Sequence, residues 1–203
     1  MCNDIILLLV GAAIGFVSSV GIIIVERLID RKGKLSIFYK FIDSAVTQHS
    51  WGILHSENNR LVFDVPVAFE LQNTSNTTRV IRNLNLELYK GDVLVSKMKQ
   101  MEKGVKRTLT NVNGNYQING DPVYYGTDNG SYSFVLNPRS IQKQKCDFSL
   151  SINEEEKDKY DFDTIKICYY DEKDYKKSYI SKTGLKGWTL GDNKPDKEWQ
   201  KLN

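Results

Sequence analysis

The sequence is poor in the residues from which metal centres and nucleophilic active sites are built. It has two histidines, His49 and His55, and three cysteines among 203 residues, and none of them follows a zinc-binding spacing. It also lacks a phosphate-binding glycine loop and the G-x-S-x-G turn of hydrolases. We therefore predict that the protein is not an enzyme and binds no metal or cofactor.

Three cysteines are too few for a disulfide scaffold. Cys146 and Cys168 fall in separate candidate strands. A bridge between them is possible in an oxidising compartment, although two buried, reduced residues are the favoured interpretation. The densest acidic stretch, residues 161–174, lacks the spacing of a calcium-binding loop and is interleaved with lysines, which favours a solvated turn.

The chain also lacks a strong excess of charge of either sign. Its 28 basic and 25 acidic residues are interspersed and give a formal net charge of +3. Nucleic-acid-binding domains carry a concentrated basic surface. The balance of charge therefore predicts that nucleic acid is not a partner.

What the chain does contain is one long apolar stretch, residues 5–25, without a charged residue or a proline. A helix of this length covers roughly 30 Å, the thickness of the hydrocarbon core of a bilayer. Residues 1–4 have no basic side chain and no A-x-A cleavage pattern follows, unlike in a cleaved signal peptide. We predict a retained, single-pass membrane anchor that occupies residues 1–34 together with its basic flank.

Basic residues follow this anchor on its C-terminal side. Arg27, Arg31, Lys32 and Lys34 stand there against two acidic residues, whereas the N-terminal side has no basic residue. Under the positive-inside rule this asymmetry places the N-terminus outside the cell membrane and the remaining chain in the cytoplasm. The same four residues are predicted to contact anionic lipid headgroups.

Small residues recur at every fourth position of the anchor, at Gly11, Gly15 and Ser19. Such a strip lets two helix backbones approach closely in lipid, so it predicts an association face for a homo-oligomer or a partner helix. The alternative is that glycine is simply common in membrane spans. Ala12 and Ala13 show that this helix is rich in small residues on other sides as well.

The remaining chain has the pattern of short strands. Residues 60–72 alternate most clearly, and Pro66, which has no N–H, predicts that this strand lies at a sheet edge or contains a bulge. Further candidate strands are residues 35–42, 80–89, 93–98, 115–118, 122–125, 131–136, 145–152, 164–170 and 177–182. We predict a mainly β protein with an antiparallel β-sandwich over residues 35–183, a small β-barrel being the second choice. Residues 184–203 are predicted as a tail that Trp188 and Trp199 attach to the domain.

Polar residues dominate residues 99–129, and three Asn-Gly pairs occur at residues 113–114, 119–120 and 129–130, which predicts projecting hairpins. Tyr116, Tyr124 and Tyr125 give this region aromatic character. Aromatic side chains on rigid loops provide contact area at low entropic cost. We therefore predict that the three tyrosines belong to a partner-binding surface.

Two segments carry a resemblance to a known type of domain. The strand IRNLNLELY at residues 81–89, and the later stretch LNPRSI at residues 136–141 followed by a hydrophobic strand, resemble the immunoglobulin-like sandwich domains of membrane-anchored bacterial proteins. The resemblance covers residues 60–182 and implies a fold without implying an activity. The Cys…Trp…Cys core of true immunoglobulin domains is missing.

Together these features predict a membrane-anchored β-sandwich that binds another protein, as an adaptor without catalytic activity. One alternative follows from the overall plan, which is similar to that of membrane effectors of bacterial anti-phage signalling. It implies a β domain that binds a small signalling ligand, for example a nucleotide, and a helix that oligomerises. A further alternative is an extracytoplasmic envelope protein.

Overall fold

A computed structural model describes residues 2–30, 33–43, 50–56, 59–101, 108–112, 115–119, 132–189 and 191–202. One α-helix, α1 (Cys2–Asp30), precedes fourteen strands in this described part, and one 3-10 helix (Glu154–Glu156) lies between the tenth and eleventh strands. The strands are β1 (Leu35–Phe41), β2 (Gly52–Ser56), β3 (Arg60–Asn73), β4 (Arg79–Lys90), β5 (Val93–Lys97), β6 (Lys99–Gln100), β7 (Thr108–Val112), β8 (Asn115–Asn119), β9 (Tyr132–Leu136), β10 (Ser140–Asn153), β11 (Thr164–Tyr170), β12 (Lys176–Lys182), β13 (Gly191–Asp192) and β14 (Gln200–Lys201). The protein is mainly β, with antiparallel sheets and one N-terminal apolar helix, which confirms that part of the prediction.

Helix α1 leaves its apolar side chains uncovered. Within the described residues, Val10–Arg27 is the one stretch that is long and apolar enough to cross a membrane. Phe16 and Val17 are 72% and 69% exposed, so the helix does not bury these side chains against its own domain. Only a bilayer or another apolar surface would remove them from water.

The first sheet is built around β3. Strand β10 pairs with β3 over its whole length, from Arg60 opposite Asn153 to Asn73 opposite Ser140. The other edge of β3 is covered by two strands that lie end to end, β2 along residues 60–64 and β1 along residues 67–73. Strands β13, β14 and β6 extend the sheet at its borders.

The second sheet repeats this plan around β4. Strand β11 pairs with one edge of β4, and β12 pairs with the outer edge of β11. The other edge of β4 is covered end to end by β9 along residues 79–84 and by β5 along residues 87–90. Strands β7 and β8 form a separate two-stranded hairpin, and β8 lies against β2.

The prediction that Pro66 lies in an edge strand or a bulge is wrong. Strand β3 is the centre of its sheet and pairs with β10 without a register shift. Pro66 is tolerated because it lies where the covering edge changes from β1 to β2. The Ile42 N–H donates to the Pro66 carbonyl at 3.1 Å. A continued ladder would also need a bond from the N–H of residue 66 to the Ile42 carbonyl, which proline cannot donate. Ile42 follows the last residue of β1, so the ladder has already ended there.

The inward-facing side chains of both sheets form one hydrophobic core. The alternation of β3 predicted its inner face, and all six of those residues are buried: Leu61, Phe63, Val65, Val67, Phe69 and Leu71. The second sheet contributes the alternating residues Leu84, Leu86 and Leu88 of β4 and Ile165 and Ile167 of β11. Since one cluster contains side chains of both sheets, burial of apolar surface stabilises their packing.

The last twenty residues are more than an attached tail, because β13 pairs with β2 and β14 pairs with β1. Trp188 packs at a ring-centroid distance of 6.4 Å from Phe63 and donates its indole N–H to the Tyr160 carbonyl at 2.8 Å. Trp199 is 40% exposed, so it contributes less to this attachment than the sequence suggested.

Candidate functional site

The predicted association face of α1 has no side chain in its way. A Cβ added at Gly11 or Gly15 would meet no atom within 4 Å. The Ser19 hydroxyl donates to the Gly15 carbonyl at 2.8 Å, so its polar group is satisfied inside the helix. This geometry permits close packing of a second helix, and the association itself stays a prediction.

Two of the four residues predicted to contact lipid headgroups belong to the described part of the chain. Arg27, in the last turns of α1, and Lys34, before β1, are both exposed. A cation near the C-terminus of a helix also interacts favourably with its unpaired carbonyls. Arg31 and Lys32 lie outside the described residues.

Gly33 and Lys34 attach the start of the β domain to the turn that follows β3. The Thr74 N–H donates to the Lys34 carbonyl at 3.1 Å, and the Lys34 N–H donates to the Thr74 hydroxyl at 3.0 Å. A Cβ on Gly33 would lie 2.0 Å from the Ser75 Cα, so only glycine fits this approach. Two residues separate Asp30 from Gly33, and that short connection spans about 10 Å at most. The β domain is therefore held next to the end of the helix.

Asn73 organises this end of the domain. Its side chain is buried, and the two N–H groups of its Nδ2 are shared among the carbonyls of Thr77, Leu136 and Asn137, which lie at 2.8, 3.1 and 2.9 Å. Its Oδ1 accepts the Ser75 N–H at 3.0 Å and the Ser75 hydroxyl at 2.6 Å. One amide thus fastens two separate turns together. We call residues 33–34, 74–79, 137–139 and 171–175 the helix-proximal end.

The predicted partner-binding tyrosines fall partly within the described residues. Tyr116 lies in β8, opposite Asn111 of β7, which confirms that residues 99–129 form at least one hairpin. Tyr124 and Tyr125 lie outside the described residues, as does the candidate strand at residues 122–125.

Two buried side chains fix the points where residues 102–131 leave and rejoin the sheets. Gln100 is 1% exposed. Its Nε2 donates to the Leu84 carbonyl at 2.5 Å and its Oε1 accepts the Tyr132 N–H at 2.7 Å. The Tyr132 hydroxyl donates a hydrogen bond to the Met101 carbonyl and accepts one from the Asp147 N–H at 3.1 Å. These groups replace ladder bonds that the backbone does not make there.

A pocket of about 260 Å³ opens at the opposite end of the domain. Its floor is aromatic, with Phe63 and Phe162 at a ring-centroid distance of 5.0 Å and Trp51 at 6.3 Å from Phe63. The indole N–H of Trp51 is already donated to the Lys194 carbonyl at 3.3 Å. All three rings are buried, so they belong to the core below the pocket, and polar groups such as Lys186 lie on its rim. A ligand in this pocket would therefore contact polar groups at least as much as apolar ones.

A third feature is a buried ionic cluster on the outer face of the second sheet. The Glu87 side chain is 3% exposed, and Lys176 Nζ lies 2.8 Å from both of its carboxylate oxygens. Tyr89 donates to the same carboxylate at 2.9 Å and Cys168 donates its thiol at 3.3 Å. Burial opposes the ionisation of Glu87, but the hydrogen bonds from Lys176, Tyr89 and Cys168 outweigh it and lower the pKa.

This cluster stabilises the sheet rather than providing a nucleophile. Burial raises the pKa of the Cys168 thiol to about 11, so the sulfur is neutral at physiological pH. Cys146 is also buried, and the two cysteines are not bonded to each other, in agreement with the favoured interpretation. His55 lies in β2, and His49 lies outside the described residues.

No metal-ligating group of three side chains occurs in the part of the chain that the structure describes. In the acidic turn, the Asp171 carboxylate accepts the N–H groups of Lys173 and Tyr175 at 3.0 Å each. Glu172 and Asp174 pair with Arg79 and Arg82 of β4. These carboxylates thus have partners within the protein.

Sequence reasoning did not predict a buried, hydrogen-bonding role for Asn73, Gln100 or Glu87. Each is a polar residue in or beside a strand, where the default expectation is an exposed side chain. Glu87 lies between Leu86 and Leu88 and has the pattern of a solvent-facing position, but side chains of neighbouring strands cover it. No signal in the local sequence distinguishes these three residues from exposed ones.

No protein-family model matches this chain, and no curated protein and no solved structure shows significant similarity to it. A functional conclusion therefore has to rest on the chain's own residues.

Proposed function

We propose that this protein is a single-pass, membrane-anchored binding or adaptor protein without catalytic activity, whose β domain binds another protein. The junction of Gly33 and Lys34 with Thr74 carries the proposal. It attaches the chain to the domain from Gly33 onwards, so that only residues 31 and 32 connect the domain with the apolar helix. A connection of this length keeps the domain within about 10 Å of the end of the helix.

The proposal includes an immunoglobulin-like sandwich arrangement of the two sheets. Antiparallel pairing throughout and one core shared by both sheets support it. So does the crossing of the chain from β5 in the second sheet to β6 in the first, since such changes of sheet are typical of sandwiches.

We place the anchor in the cell membrane with the N-terminus outside and the β domain in the cytoplasm. The basic side chains Arg27 and Lys34, which follow the span, support this orientation. The test is an Asn113→Cys variant in a Cys2→Ser background, treated with a membrane-impermeant maleimide. Labelling only after permeabilisation supports the orientation, whereas labelling of intact cells overturns it and favours an extracytoplasmic envelope protein.

The partner surface is proposed to include Tyr116, Tyr124 and Tyr125. Its support is the β7–β8 hairpin, in which the backbone of Tyr116 is paired with that of Asn111. A residue in a paired strand loses less conformational entropy when it binds than one in an unpaired chain.

The experiment that tests the adaptor function is site-specific photo-crosslinking of the full-length chain in its native membranes. A photoreactive residue replaces Tyr116 in one variant and the exposed Asp158, at the far end of the domain, in the control. We expect one discrete heteromeric product from position 116 and none from position 158. Equal products from both positions, or none from position 116, would exclude this partner surface.

A second candidate function is a membrane effector that a small ligand controls. The pocket above Trp51, Phe63 and Phe162 favours it, because a concave pocket with a polar rim can hold a small polar ligand such as a nucleotide. We expect a matching mono-, di- or cyclic nucleotide to raise the unfolding temperature by a few degrees at saturation and to increase the oligomer size in detergent. Lys186→Glu on the rim should weaken both effects, and Lys157→Glu should not. A panel of nucleotides without any effect would remove this candidate.

A further inference from the structure

We propose that the helix-proximal end of the β domain is itself a membrane-binding surface. Three cations of this end contact anionic lipid headgroups, and three exposed apolar side chains beside them enter the interfacial layer. The inference rests on the proposed function, because it requires α1 to lie in a bilayer. It adds residues from distant parts of the chain to the basic segment that follows the helix.

The turn after β3 brings two of these cations together. Lys34 is bound to Thr74 through its backbone. Arg139 donates its own N–H to the Ser75 carbonyl at 3.1 Å and its Nε–H to the Asn76 side chain at 2.6 Å. Lys34 and Arg139 are thus held by three consecutive residues, although they lie far apart in the sequence.

The charge of this end is positive. Each acidic residue of the turn at 171–174 is paired with a basic side chain of β4 or β12. Lys34, Arg139 and Lys173 are exposed and have no carboxylate partner among the described residues. Three positive charges therefore remain uncompensated on the surface that lies nearest to the helix.

Exposed apolar side chains flank the same turns. Val135 and Ile141 are 65% and 66% exposed and lie on either side of the turn that contains Arg139. Tyr175 is 62% exposed and follows the turn that contains Lys173. Cations next to aliphatic residues and a tyrosine are typical of surfaces that bind at a membrane interface.

Covalent continuity identifies a bilayer as the partner. The connection from Asp30 to Gly33 spans about 10 Å at most, so a membrane that contains α1 lies within reach of this end. The tether keeps the effective concentration of lipid high, and a few weak contacts are then sufficient for binding. Anionic headgroups complement the three free cations at about 1 kcal/mol each, which corresponds to about fivefold in the bound ratio per charge.

The test uses the full-length protein, reconstituted into vesicles of phosphatidylcholine with and without phosphatidylglycerol. A fluorophore is attached to Thr77→Cys at the helix-proximal end or to Asp158→Cys at the far end, in a Cys2→Ser background. Cys146 and Cys168 are 1% and 3% exposed and remain unlabelled. Quenching by a lipid with a nitroxide on its headgroup reports the distance of each site from the membrane.

We expect strong quenching at position 77, which increases with phosphatidylglycerol, and weak quenching at position 158. The double variant R139Q/K173Q should lower the ratio of membrane-bound to released domain about tenfold or more. The control K157Q/K159Q, at the far end, should not change it. Circular dichroism of each variant confirms that the fold is retained.

Two unfavourable results are distinguishable. Extraction of the protein from the vesicles by alkaline carbonate would overturn the proposed membrane anchoring, and this inference with it. Stable insertion with equal quenching at positions 77 and 158, or with quenching that responds neither to phosphatidylglycerol nor to R139Q/K173Q, would overturn this inference alone.

Discussion

The two central strands, β3 and β4, have the same arrangement of neighbours but complete their hydrogen bonding differently. Each has one long partner on one edge and two short partners, end to end, on the other. In β3 the change between the short partners falls at Pro66, which has no N–H to leave unpaired. In β4 the pairing with β9 is interrupted between Ile81 and Leu84, where the register shifts and the Gln100 side chain bonds the Leu84 carbonyl.

The difference shows two ways to end a strand pairing inside a protein. One removes the donor, which needs only a local change of residue. The other provides a replacement partner, which needs a buried side chain from a different part of the chain. Because an unpaired buried backbone group is costly, each interruption requires one of these solutions.

Strands β3 and β4 each have one glutamate on their outer face, and these two side chains differ in burial. Glu70 of β3 is 18% exposed and pairs with Lys143 at 3.1 Å. Glu87 of β4 is 3% exposed and has three hydrogen-bonding side chains around it. Of these two carboxylates, the one in the second sheet is therefore the more deeply buried and the more extensively hydrogen-bonded.

The largest effect is expected for Gln100→Leu, which removes the replacement partner in the second sheet. It leaves the Leu84 carbonyl and the Tyr132 N–H buried without a bond, and each orphaned group costs about 1–3 kcal/mol. We expect the free energy of unfolding, from urea titration in detergent, to fall by about 3–5 kcal/mol. Gln142→Leu, at a half-buried position of β10, is the control and should change stability little. Equal effects of the two variants would contradict the role of Gln100.

The glutamates are compared by Glu87→Gln and Glu70→Gln. Loss of the buried charge should cost about 2 kcal/mol, because charge-assisted bonds from Lys176, Tyr89 and Cys168 are weakened. The more exposed Glu70 pair should contribute less than about 1 kcal/mol. The lowered pKa of Glu87 means that its contribution is present at neutral pH and is lost as the pH falls through the folded-state value, below about 4.5. E87Q should therefore show a weaker dependence of unfolding free energy on acid than the wild type; the same dependence in both would refute this contribution of Glu87.

An alkaline titration tests the same cluster at its thiol. The pKa of Cys168 is raised from 9.0 to about 11 in the folded protein, so the neutral thiol stabilises the fold below pH 9 and the contribution is lost as the pH rises towards 11. At pH 10 the wild type should have lost about 1 kcal/mol relative to neutral pH through this group. Cys168→Ser does not titrate in this range and should lack that part of the decline. Parallel pH profiles for both proteins would show that the thiol is not linked to folding.

The smallest effect is expected for Pro66→Ala. The new N–H points towards the Ile42 carbonyl, and the loss of proline's restriction on the unfolded chain costs only about 0.4–1 kcal/mol. Ala68→Pro, two residues further along the same edge, is the matched control. It removes a ladder bond opposite Lys40 of β1 and should destabilise the protein by more than about 2 kcal/mol. If P66A were as harmful as A68P in urea unfolding, Pro66 would not lie at a true interruption.

Much of the architecture was predictable because it depends on local patterns. The apolar stretch at residues 5–25 lies within α1, and the predicted strands at residues 60–72, 80–89 and 164–170 match β3, β4 and β11 within one residue at each end. The prediction missed the first half of β10 because its inward positions include Gln142 and Gln144, which break the apolar alternation. It also missed β13 and β14, which are two residues long and become strands only by pairing with a formed sheet.

The sequence by itself determined the apolar helix, the antiparallel β class and the core-facing side of each long strand. These features follow from the charge, polarity and spacing of neighbouring residues. Tertiary structure alone decided that Pro66 lies in a central strand, that Asn73 and Gln100 are buried, and that Arg139 lies beside Lys34. Contacts of this kind join residues from separate strands and turns, so their energies appear only when those strands and turns have come together.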